Sequence, residues 1–318
     1  MLRQIGIRLT RVIPVALIIT LLATAAVDLM PGSAAIAILG NDATPEQVAA
    51  LNQELGLDQP FLTRYLAWLG GALHGDLGTS LRLDTPVTEV LLQRIPVTAE
   101  IAALAIVMAL LIAVPLALKS GSTVGSYFDR ITSGTSAGVL ALPSFAAAVI
   151  LILIFSIQLG WFPVSGWVSF AEDPLGNLRH AFLPALVLAL AEAAVFYRLL
   201  RNDVIATLRE TFILAARARG MERAYILFRH ALRPSMFSLI TVMGLALGRL
   251  LGGALIVEVL FALPGLGALL LQSVPSRDIP VIQGIVLVMA LVYVFANIAV
   301  DLAYAAIDPR IRTSKAAA

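Results

Sequence analysis

Long apolar runs separated by shorter polar segments make up most of this chain. A run of about 20 apolar residues can cross ~30 Å of hydrocarbon as an α-helix. The pattern therefore predicts an all-α, polytopic membrane protein with six transmembrane helices. The predicted spans lie at about 12–30, 97–118, 132–158, 181–200, 236–257 and 281–304.

Basic residues mark alternate connections between these spans. The N-terminus, the connection after the second span and the C-terminal tail each carry Arg or Lys, and the segment 201–234 carries seven arginines. The long segment 31–95 has three basic residues against seven acidic ones. Because cytoplasmic loops are enriched in Lys and Arg, both termini are expected in the cytoplasm (N-in/C-in) and 31–95 outside.

The first apolar run has two interpretations. Arginines precede it, and Ala23-Thr24-Ala25 resembles the small-residue site at which a signal peptide is cleaved. However, the run continues to about Met30, and its removal would leave five spans. The pattern favours an uncleaved membrane anchor.

Composition excludes several kinds of chemistry. The chain is 59% hydrophobic and 13% charged, and it has no cysteine, so disulfides and thiolate chemistry are excluded. A phosphate-binding loop of the Walker type needs Gly-Lys-Ser/Thr, whereas neither Lys119 nor Lys315 follows a glycine. The three histidines lie on separate segments without paired spacing, so no metal site is expected.

The segment 31–95 is predicted to contain two helices. Thr44 suits an N-cap, Pro45 the first helical position and Glu46 the first turn, and Gly56 suits the C-terminal stop. A second helix is predicted from Phe61 to about Leu69, ending at Gly70-Gly71. The segment has two interpretations: a lid over the span ends, or a docking surface for an extracytoplasmic partner.

The stretch 213–234 is a basic insert between apolar segments. One short helix is predicted over Thr211–Arg219, a break at Gly220, and another helix over Met221–Ala231, before Pro234 and the fifth span. It is either a basic helix that lies on anionic headgroups or a helix-turn-helix knob that inserts into a groove of a cytoplasmic partner.

The residues of this insert carry a resemblance to a known family. The order Ala215-Ala216, then Gly220, then His230-Ala231-Leu232-Arg233-Pro234 resembles the EAA motif of ABC-importer permeases. Leu214 stands where that motif has an acidic residue, and Arg233 separates Leu232 from Pro234. Stretches 55–81, 250–267 and 300–312 are similar to the dipeptide, oligopeptide and nickel branch of that family.

The resemblance implies an ABC-importer type I permease fold, with a transmembrane domain over 1–312 and a cytoplasmic tail over 313–318. It implies a multi-pass permease of the cytoplasmic (inner) membrane that carries short peptides inward from an extracytoplasmic binding protein by alternating access. A nickel chelate, haem or another peptide-like solute is the alternative cargo. The expected partners are a second homologous permease, two ATPase subunits and the binding protein. Coupling to the ATPase is assigned to Leu214, Ala215, Ala216, Gly220, Met221, His230 and Pro234.

In this interpretation the chain is not an enzyme. It holds no cofactor, and ATP and Mg²⁺ bind in the partner ATPase subunits. An ion-coupled secondary transporter would need inverted repeats and midplane carboxylates, of which only Glu192 is a candidate. An intramembrane hydrolase would need a Ser/His or paired Asp arrangement inside the spans, and the sequence offers none.

Polar residues inside the predicted spans are the next candidates, because they are costly in a membrane. Glu192, Arg249 and Asn297 are candidates for the translocation path, although Glu192 and Arg249 alternatively form a structural pair between helices. Glu100 is expected in the first turn of the second span, where its charge suits the helix dipole.

Small residues in and after the fifth span complete the candidates. Gly244, Gly248 and Gly252 form a small-xxx-small face, which is either ordinary packing or the contact between two permeases. The loop with Pro264, Gly265 and Gly267 is expected to begin a short interfacial helix or gate on the outer side.

Overall fold

Helices account for the regular structure of the described residues in a computed structural model, which covers residues 2–29, 34–40 and 42–307. Within these ranges the only extended pairing is an isolated antiparallel bridge between Thr79 and Pro86. The all-α prediction is confirmed. The helices are α1 (Leu2–Asp28), α2 (Ala34–Leu39), α3 (Pro45–Glu54), α4 (Phe61–Leu73), α5 (Val87–Ser122), α6 (Tyr127–Ala141), α7 (Ser144–Leu151), α8 (Pro174–Thr207), α9 (Thr211–Ala218), α10 (Arg223–Tyr225), α11 (Leu232–Leu260), α12 (Leu266–Ser273) and α13 (Ile279–Ile307), with π-helical stretches at Ile152–Gln158 and Ile226–Ala231.

Several of these helices are long and apolar enough to span a membrane. In the described part of the chain, four helices have the length and the apolar composition that a membrane span needs: Val87–Ser122, Pro174–Thr207, Arg223–Leu260 and Ile279–Ala296. A fifth is added if the bent pair that follows α5 counts as one span, and Pro14–Asp28 is a shorter apolar helix. The multi-pass character is thus observed, whereas the number six and the N-in/C-in orientation stay predictions.

The predicted third span is broken rather than continuous. Tyr127–Ala141 and Ser144–Gln158 meet at a bend of 106°. The residue before a proline is pushed out of helical conformation, and Leu142, which precedes Pro143, has φ −86° and ψ 121°. The stretch predicted as one span over about 132–158 therefore contains two helices, and the bend between them falls at a local Leu-Pro signal.

The segment after α1 contains the two predicted helices, of which the first was placed accurately. Thr44 caps α3, because its Oγ1 accepts a hydrogen bond from the Gln47 backbone N–H. In turn, the Gln47 side-chain Oε1 accepts one from the Thr44 backbone N–H. Glu46 lies in the first turn, where hydrogen bonds from its own backbone and from Thr44 hold its pKa below the usual value. Gly56 has φ +64°, as its predicted role as a stop requires.

The second of these helices was predicted too short. α4 continues through Gly70 and Gly71 and ends at Leu73. A glycine costs a helix only about 1 kcal/mol relative to alanine, and the last turns of α4 pack Trp68 and Ala72 against a buried apolar cluster. Tertiary packing therefore outweighed the local signal.

Two compact units divide the chain. The first comprises Met1–Thr98 and Pro264–Phe295. Its core is formed by buried side chains of α5, α12, α13 and the loop before α5. Asp278 is also buried in this unit. It accepts hydrogen bonds from Ser80 Oγ at 2.5 Å and from the Leu81 backbone N–H at 3.1 Å. The cluster consists of Leu77, Val87, Val90, Leu91, Leu266, Leu269, Val281 and Ile285.

The same core explains a wrong prediction for Glu100. α5 begins at Val87, so Glu89 occupies the first turn and Glu100 lies well inside the helix. Val87 and Leu91 are almost fully buried in the core of the first unit. Because these two residues pack in the core, the helix begins well before Pro96, whereas the apolar pattern alone predicted that the span starts just after it.

Two glycines of the first unit differ in the space that a side chain would find. A Cβ at Gly284 would lie 2.7 Å from Val87 Cγ1 and 3.0 Å from Leu91 Cδ1, whereas a Cβ at Gly70 would meet no heavy atom within 4 Å. We expect Gly284→Val to destabilise the protein by ~1–3 kcal/mol because it overpacks the core. Gly70→Ala should be neutral or stabilise by up to ~1 kcal/mol. Thermal unfolding of the purified variants in detergent measures both, and a Gly284→Val protein as stable as Gly70→Ala would contradict the packing.

The second unit comprises Ala99–Leu263 and Ala296–Ala318. In it α8 and α11 run antiparallel, because the paired positions fall in number along α8 as they rise along α11. Thr207 contacts Ser235 at 3.3 Å, and Glu192 binds Arg249. Further along the same pair of helices, Leu188 approaches Gly253.

A buried polar network fixes the ends of three helices in this unit. Arg201 of α8 binds Asp129 of α6 at two points, with Nε–Oδ1 at 2.6 Å and Nη2–Oδ2 at 2.8 Å. Ser120 at the end of α5 donates to Asp129 and contacts the Tyr197 hydroxyl at 2.8 Å. The sequence interpretation missed this network, although Ser126 with Asp129 three residues later is a recognisable N-cap signature.

Candidate coupling site

The connection between α8 and α11 folds as a small knob, defined here as residues 211–231. Its first helix, α9, ends in a full Schellman turn: the Gly220 N–H donates to the Arg217 carbonyl at 2.9 Å and the Met221 N–H to the Ala216 carbonyl at 3.2 Å. This turn needs a left-handed residue after the helix, and Gly220 has φ +75°. The predicted break at Gly220 is confirmed.

The knob has a core of its own. Ile213 is fully buried, Ala216 and Ile226 are nearly so, and Leu208 and Met221 pack against them. The Schellman turn brings Met221 back over Ala216, which gives the apolar contact that usually accompanies this motif. The turn and the core therefore stabilise each other.

The second half of the knob differs from the prediction. The helix begins at Arg223 rather than Met221, passes through the π-helical stretch and continues without a break as far as Leu260. Pro234 lies inside this continuous helix, directly after the π-helical stretch, and does not interrupt it. The prediction of a separate helix over Met221–Ala231 was wrong in both bounds.

Arg223 anchors the knob to the preceding helices. Its Nη2 donates to the backbone carbonyl of Ser122, the last residue of α5, at 2.5 Å. A cation at a helix C-terminus also interacts favourably with the helix dipole. An open cleft of about 460 Å³ adjoins this contact and is lined by Ser122, Leu208, Arg217, Met221, Arg223, Ile226 and Leu227.

Six of the seven residues predicted to couple to an ATPase fall into two groups, one exposed and one packed within the knob. Leu214, Ala215, Gly220 and Pro234 are exposed. Ala216 and Met221 instead contribute to the packing of the knob, and Ala216 is only 6% exposed. Ala216 therefore faces the knob's own core, and its role in coupling stays a prediction.

His230 lies on the π-helical stretch and is half-buried. Its ring makes an edge contact with Tyr225 at 5.5 Å between centroids. Nε2 is buried and has no hydrogen-bond partner among the described residues. The His230 ring thus packs against Tyr225 within the knob, and its role in coupling stays a prediction.

The knob also exposes large apolar side chains that the sequence interpretation did not single out. Phe212, Tyr225 and Phe228 are each about half exposed or more, as is Leu214. Arg217, Arg219 and Arg229 are exposed beside them. The surface thus combines apolar and cationic groups, which suits a protein partner with an apolar groove and acidic rim.

Glu192 and Arg249 form an ion pair across α8 and α11, with Nη2–Oε2 at 2.6 Å and Nε–Oε1 at 3.1 Å. The pairing alternative left open by the sequence is the one observed. The third candidate for the path, Asn297, has its backbone in α13, and its side chain lies outside the described residues. Its role stays a prediction.

The three glycines on one face of α11 differ in exposure. Gly252 is exposed, and a Cβ there would meet no heavy atom within 4 Å. Gly244 is buried and Gly248 is half-buried. The neighbouring Gly253 does make a close approach, since a Cβ there would lie 3.2 Å from Leu188 Cδ2. A contact with a second permease at Gly244, Gly248 and Gly252 stays a prediction.

The loop after α11 does lead into a short helix. Gly265 is the N-cap of α12, Gly267 is buried in its first turn, and Pro264 is half-buried just before it. The Leu266 backbone N–H donates to Thr98 Oγ1 at 2.9 Å, which holds the start of this helix. The predicted helix is confirmed, and its action as an outer gate stays a prediction.

The long apolar helices, with the knob between two of them, define a multi-pass α-helical membrane protein. Residues 105–313 match the family described as binding-protein-dependent transport system inner membrane component, and residues 1–102 match the N-terminal region of the same kind of membrane component. The chain therefore belongs to the family of binding-protein-dependent transport system inner membrane components. The resemblance to ABC-importer permeases is confirmed.

Proteins similar to this chain are matched over nearly their whole length. The dipeptide transport system permease protein of Escherichia coli is 37% identical over an alignment of 339 residues, gaps included, that covers 99% of this chain and all of that protein. The glutathione transport system permease protein of Salmonella choleraesuis is 36% identical over 312 residues, 98% of this chain and 99% of that protein. A Brucella abortus protein named as a peptide transport system permease is 37% identical over 305 residues, 96% and 97% of the two chains.

Proposed function

We propose that this chain is the permease subunit of an ATP-driven importer that carries short peptides into the cytoplasm by alternating access. The observation that carries the proposal is the knob, a self-packed helical unit that exposes Phe212, Leu214, Tyr225 and Phe228 between two long apolar helices. Family membership supports it. In this proposal the knob and both termini lie in the cytoplasm, and six spans cross the inner membrane.

The knob receives the motion of an ATPase partner. Its own core and the Schellman turn make it a firm body, and the continuous helix from Arg223 to Leu260 connects that body directly to a membrane span. A displacement of the knob is therefore passed along one uninterrupted helix, and the spans reorient between outward-facing and inward-facing states.

The proposed assembly contains a second homologous permease, two ATPase subunits and an extracytoplasmic binding protein. ATP and Mg²⁺ bind in the ATPase subunits, and this chain contributes transport without chemistry of its own. The segment between α1 and α5, with α3 and α4, is proposed to lie outside and to meet the binding protein.

Short peptides are the favoured cargo because three relatives with 36–37% identity over nearly the whole chain are named for peptide, dipeptide and glutathione transport. Glutathione is itself a peptide, so the names share one chemical class: small molecules with a free carboxylate and amide bonds. A nickel chelate or haem fits the same architecture, and direct uptake measurements distinguish these cargoes.

The test is co-purification of the ATPase subunits with this chain after mild detergent extraction. Leu214→Asp and Phe228→Asp place charges on exposed apolar positions of the knob. We expect the amount of ATPase that co-purifies with the double variant to fall at least about tenfold, because each charge must be buried unpaired in the interface. The permease itself should remain folded, since both side chains are exposed.

The matched control is the double variant Leu62→Asp and Leu66→Asp, because both leucines are also exposed but lie on α4, outside the knob. It should keep the associated ATPase. The proposal would be wrong if the wild-type chain purified without an ATPase and carried peptide down an ion gradient in the absence of ATP.

A further inference from the structure

Glu192 of α8 and Arg249 of α11 form an ion pair between two long apolar helices. It joins α8 and α11 at two points, through Nη2–Oε2 at 2.6 Å and Nε–Oε1 at 3.1 Å. The two residues lie near the middle of their apolar stretches, so the pair lies deep in the membrane if these helices span it. Charged groups at that depth are costly, and most of them face a protein interior or a water-filled cavity.

The two partners differ in exposure. The Glu192 side chain is 7% exposed, whereas the Arg249 side chain is 45% exposed. A guanidinium carries five N–H donors in a planar fork, and Glu192 engages the edge formed by Nε and Nη2. Nη1 is on the other edge of the fork. Arg249 thus keeps donor capacity on its accessible side while its charge is held in place by Glu192.

The surroundings of Arg249 decide what meets that side. Exposed positions recur along α11 at Leu245 and Gly252, about one turn from Arg249, and at Ile256, about two turns away. Gly252 has open space where a side chain would be, so this row is recessed beside the guanidinium. Lipid at this depth offers no hydrogen-bond acceptor. A water-filled path between this chain and the proposed second permease satisfies the exposed half of Arg249, and lipid does not.

We propose that Arg249 binds the terminal carboxylate of the transported peptide during its passage, and that Glu192 is a positioning residue which holds the guanidinium and limits its affinity. This inference rests on the proposed function. A peptide permease meets many different side chains, but each linear peptide has a terminal carboxylate. Arginine matches a carboxylate with two parallel hydrogen bonds. Competition from Glu192 keeps the bond weak enough for the cargo to leave.

The test uses the complete importer in proteoliposomes, with binding protein outside the vesicle and the ATPase side supplied with ATP. Uptake of radiolabelled trialanine per ATP hydrolysed is compared among wild type, Arg249→Gln and the double variant Glu192→Gln with Arg249→Gln. The double variant replaces the ion pair by a neutral pair of similar shape, so it leaves no buried charge unpaired. We expect both variants to lose about tenfold or more of the uptake per ATP, the effect of losing a charge-assisted hydrogen bond.

A cross-linking measurement locates the peptide independently of rate. A photoreactive residue at Leu245, one turn from Arg249, should capture the peptide during turnover, and capture should disappear in the double variant. The matched control is a photoreactive residue at Leu111, which is exposed on α5. It should capture no peptide.

Restoration of wild-type uptake by the double variant would overturn the inference, because the pair would then only hold α8 against α11. Equal capture at Leu245 and Leu111, or none at either, would overturn it as well. Absence of ATP-dependent peptide uptake by the wild-type importer would overturn the proposed function itself. The two failures are therefore distinguishable.

Discussion

Replacement of Gly220 by valine is expected to reduce ATP-driven uptake at least about tenfold while the purified permease remains folded. Gly220 has φ +75°, a conformation that costs an L-residue roughly 1–2 kcal/mol and a β-branched residue more. A Cβ there would meet no heavy atom within 4 Å, so the strain arises from the backbone alone. It is relieved only when the Schellman turn opens, which removes Met221 from the knob's core.

Two matched variants separate the knob from general strain. Gly220→Asn should retain uptake within about twofold, because asparagine tolerates the left-handed conformation. Gly160→Val introduces the same backbone strain, at φ +63° with open space around the Cβ, but outside the knob. It should keep uptake. Equal loss in Gly160→Val, or full uptake in Gly220→Val, would refute a coupling role for the turn.

The second large effect is expected at Asp129. Asp129→Ala should lower the free energy of unfolding by ~3–5 kcal/mol, because it leaves Arg201 largely buried without its carboxylate partner. Ser120 and the Gly125 backbone N–H, which donate to Asp129, lose their acceptor as well. Thermal unfolding followed by size-exclusion chromatography in detergent measures the loss.

The controls for Asp129 use one exposed arginine and one double replacement. Arg209→Ala should change stability by less than ~0.5 kcal/mol, since Arg209 is exposed. Asp129→Leu combined with Arg201→Met should be less destabilising than Asp129→Ala, because no buried charge is left unpaired. A melting temperature of Asp129→Ala equal to that of Arg209→Ala would show that the network contributes nothing to stability.

Local signals explain most of the successful predictions. The cap at Thr44, the stops at Gly56 and Gly220, and the start of α12 at Gly265 depend on residues within a few positions of one another. Such signals are visible in a single sequence because the hydrogen bonds they form close over one turn. The family resemblance rested on short ordered motifs of the same kind.

The errors have a different origin. α5 begins ahead of Pro96 because Val87 and Leu91 pack in a core completed by residues of α12 and α13. The helix predicted to end at Ala231 continues to Leu260, and Ile226 within it packs against Ile213 and Ala216 of α9. Periodicity cannot reveal such partners, since it records which positions are apolar and not which element they meet.

The sequence by itself determined the membrane class, the helical architecture, the family and the position of the knob's turn, because apolar run length and short-range capping depend on neighbouring residues. Only the tertiary structure decided which polar groups meet. Asp129 and Arg201 are 72 positions apart, Glu192 and Arg249 are 57 apart, and Ser80 and Asp278 are 198 apart. Pairings over such separations follow from helix packing, in which many distant side chains act together.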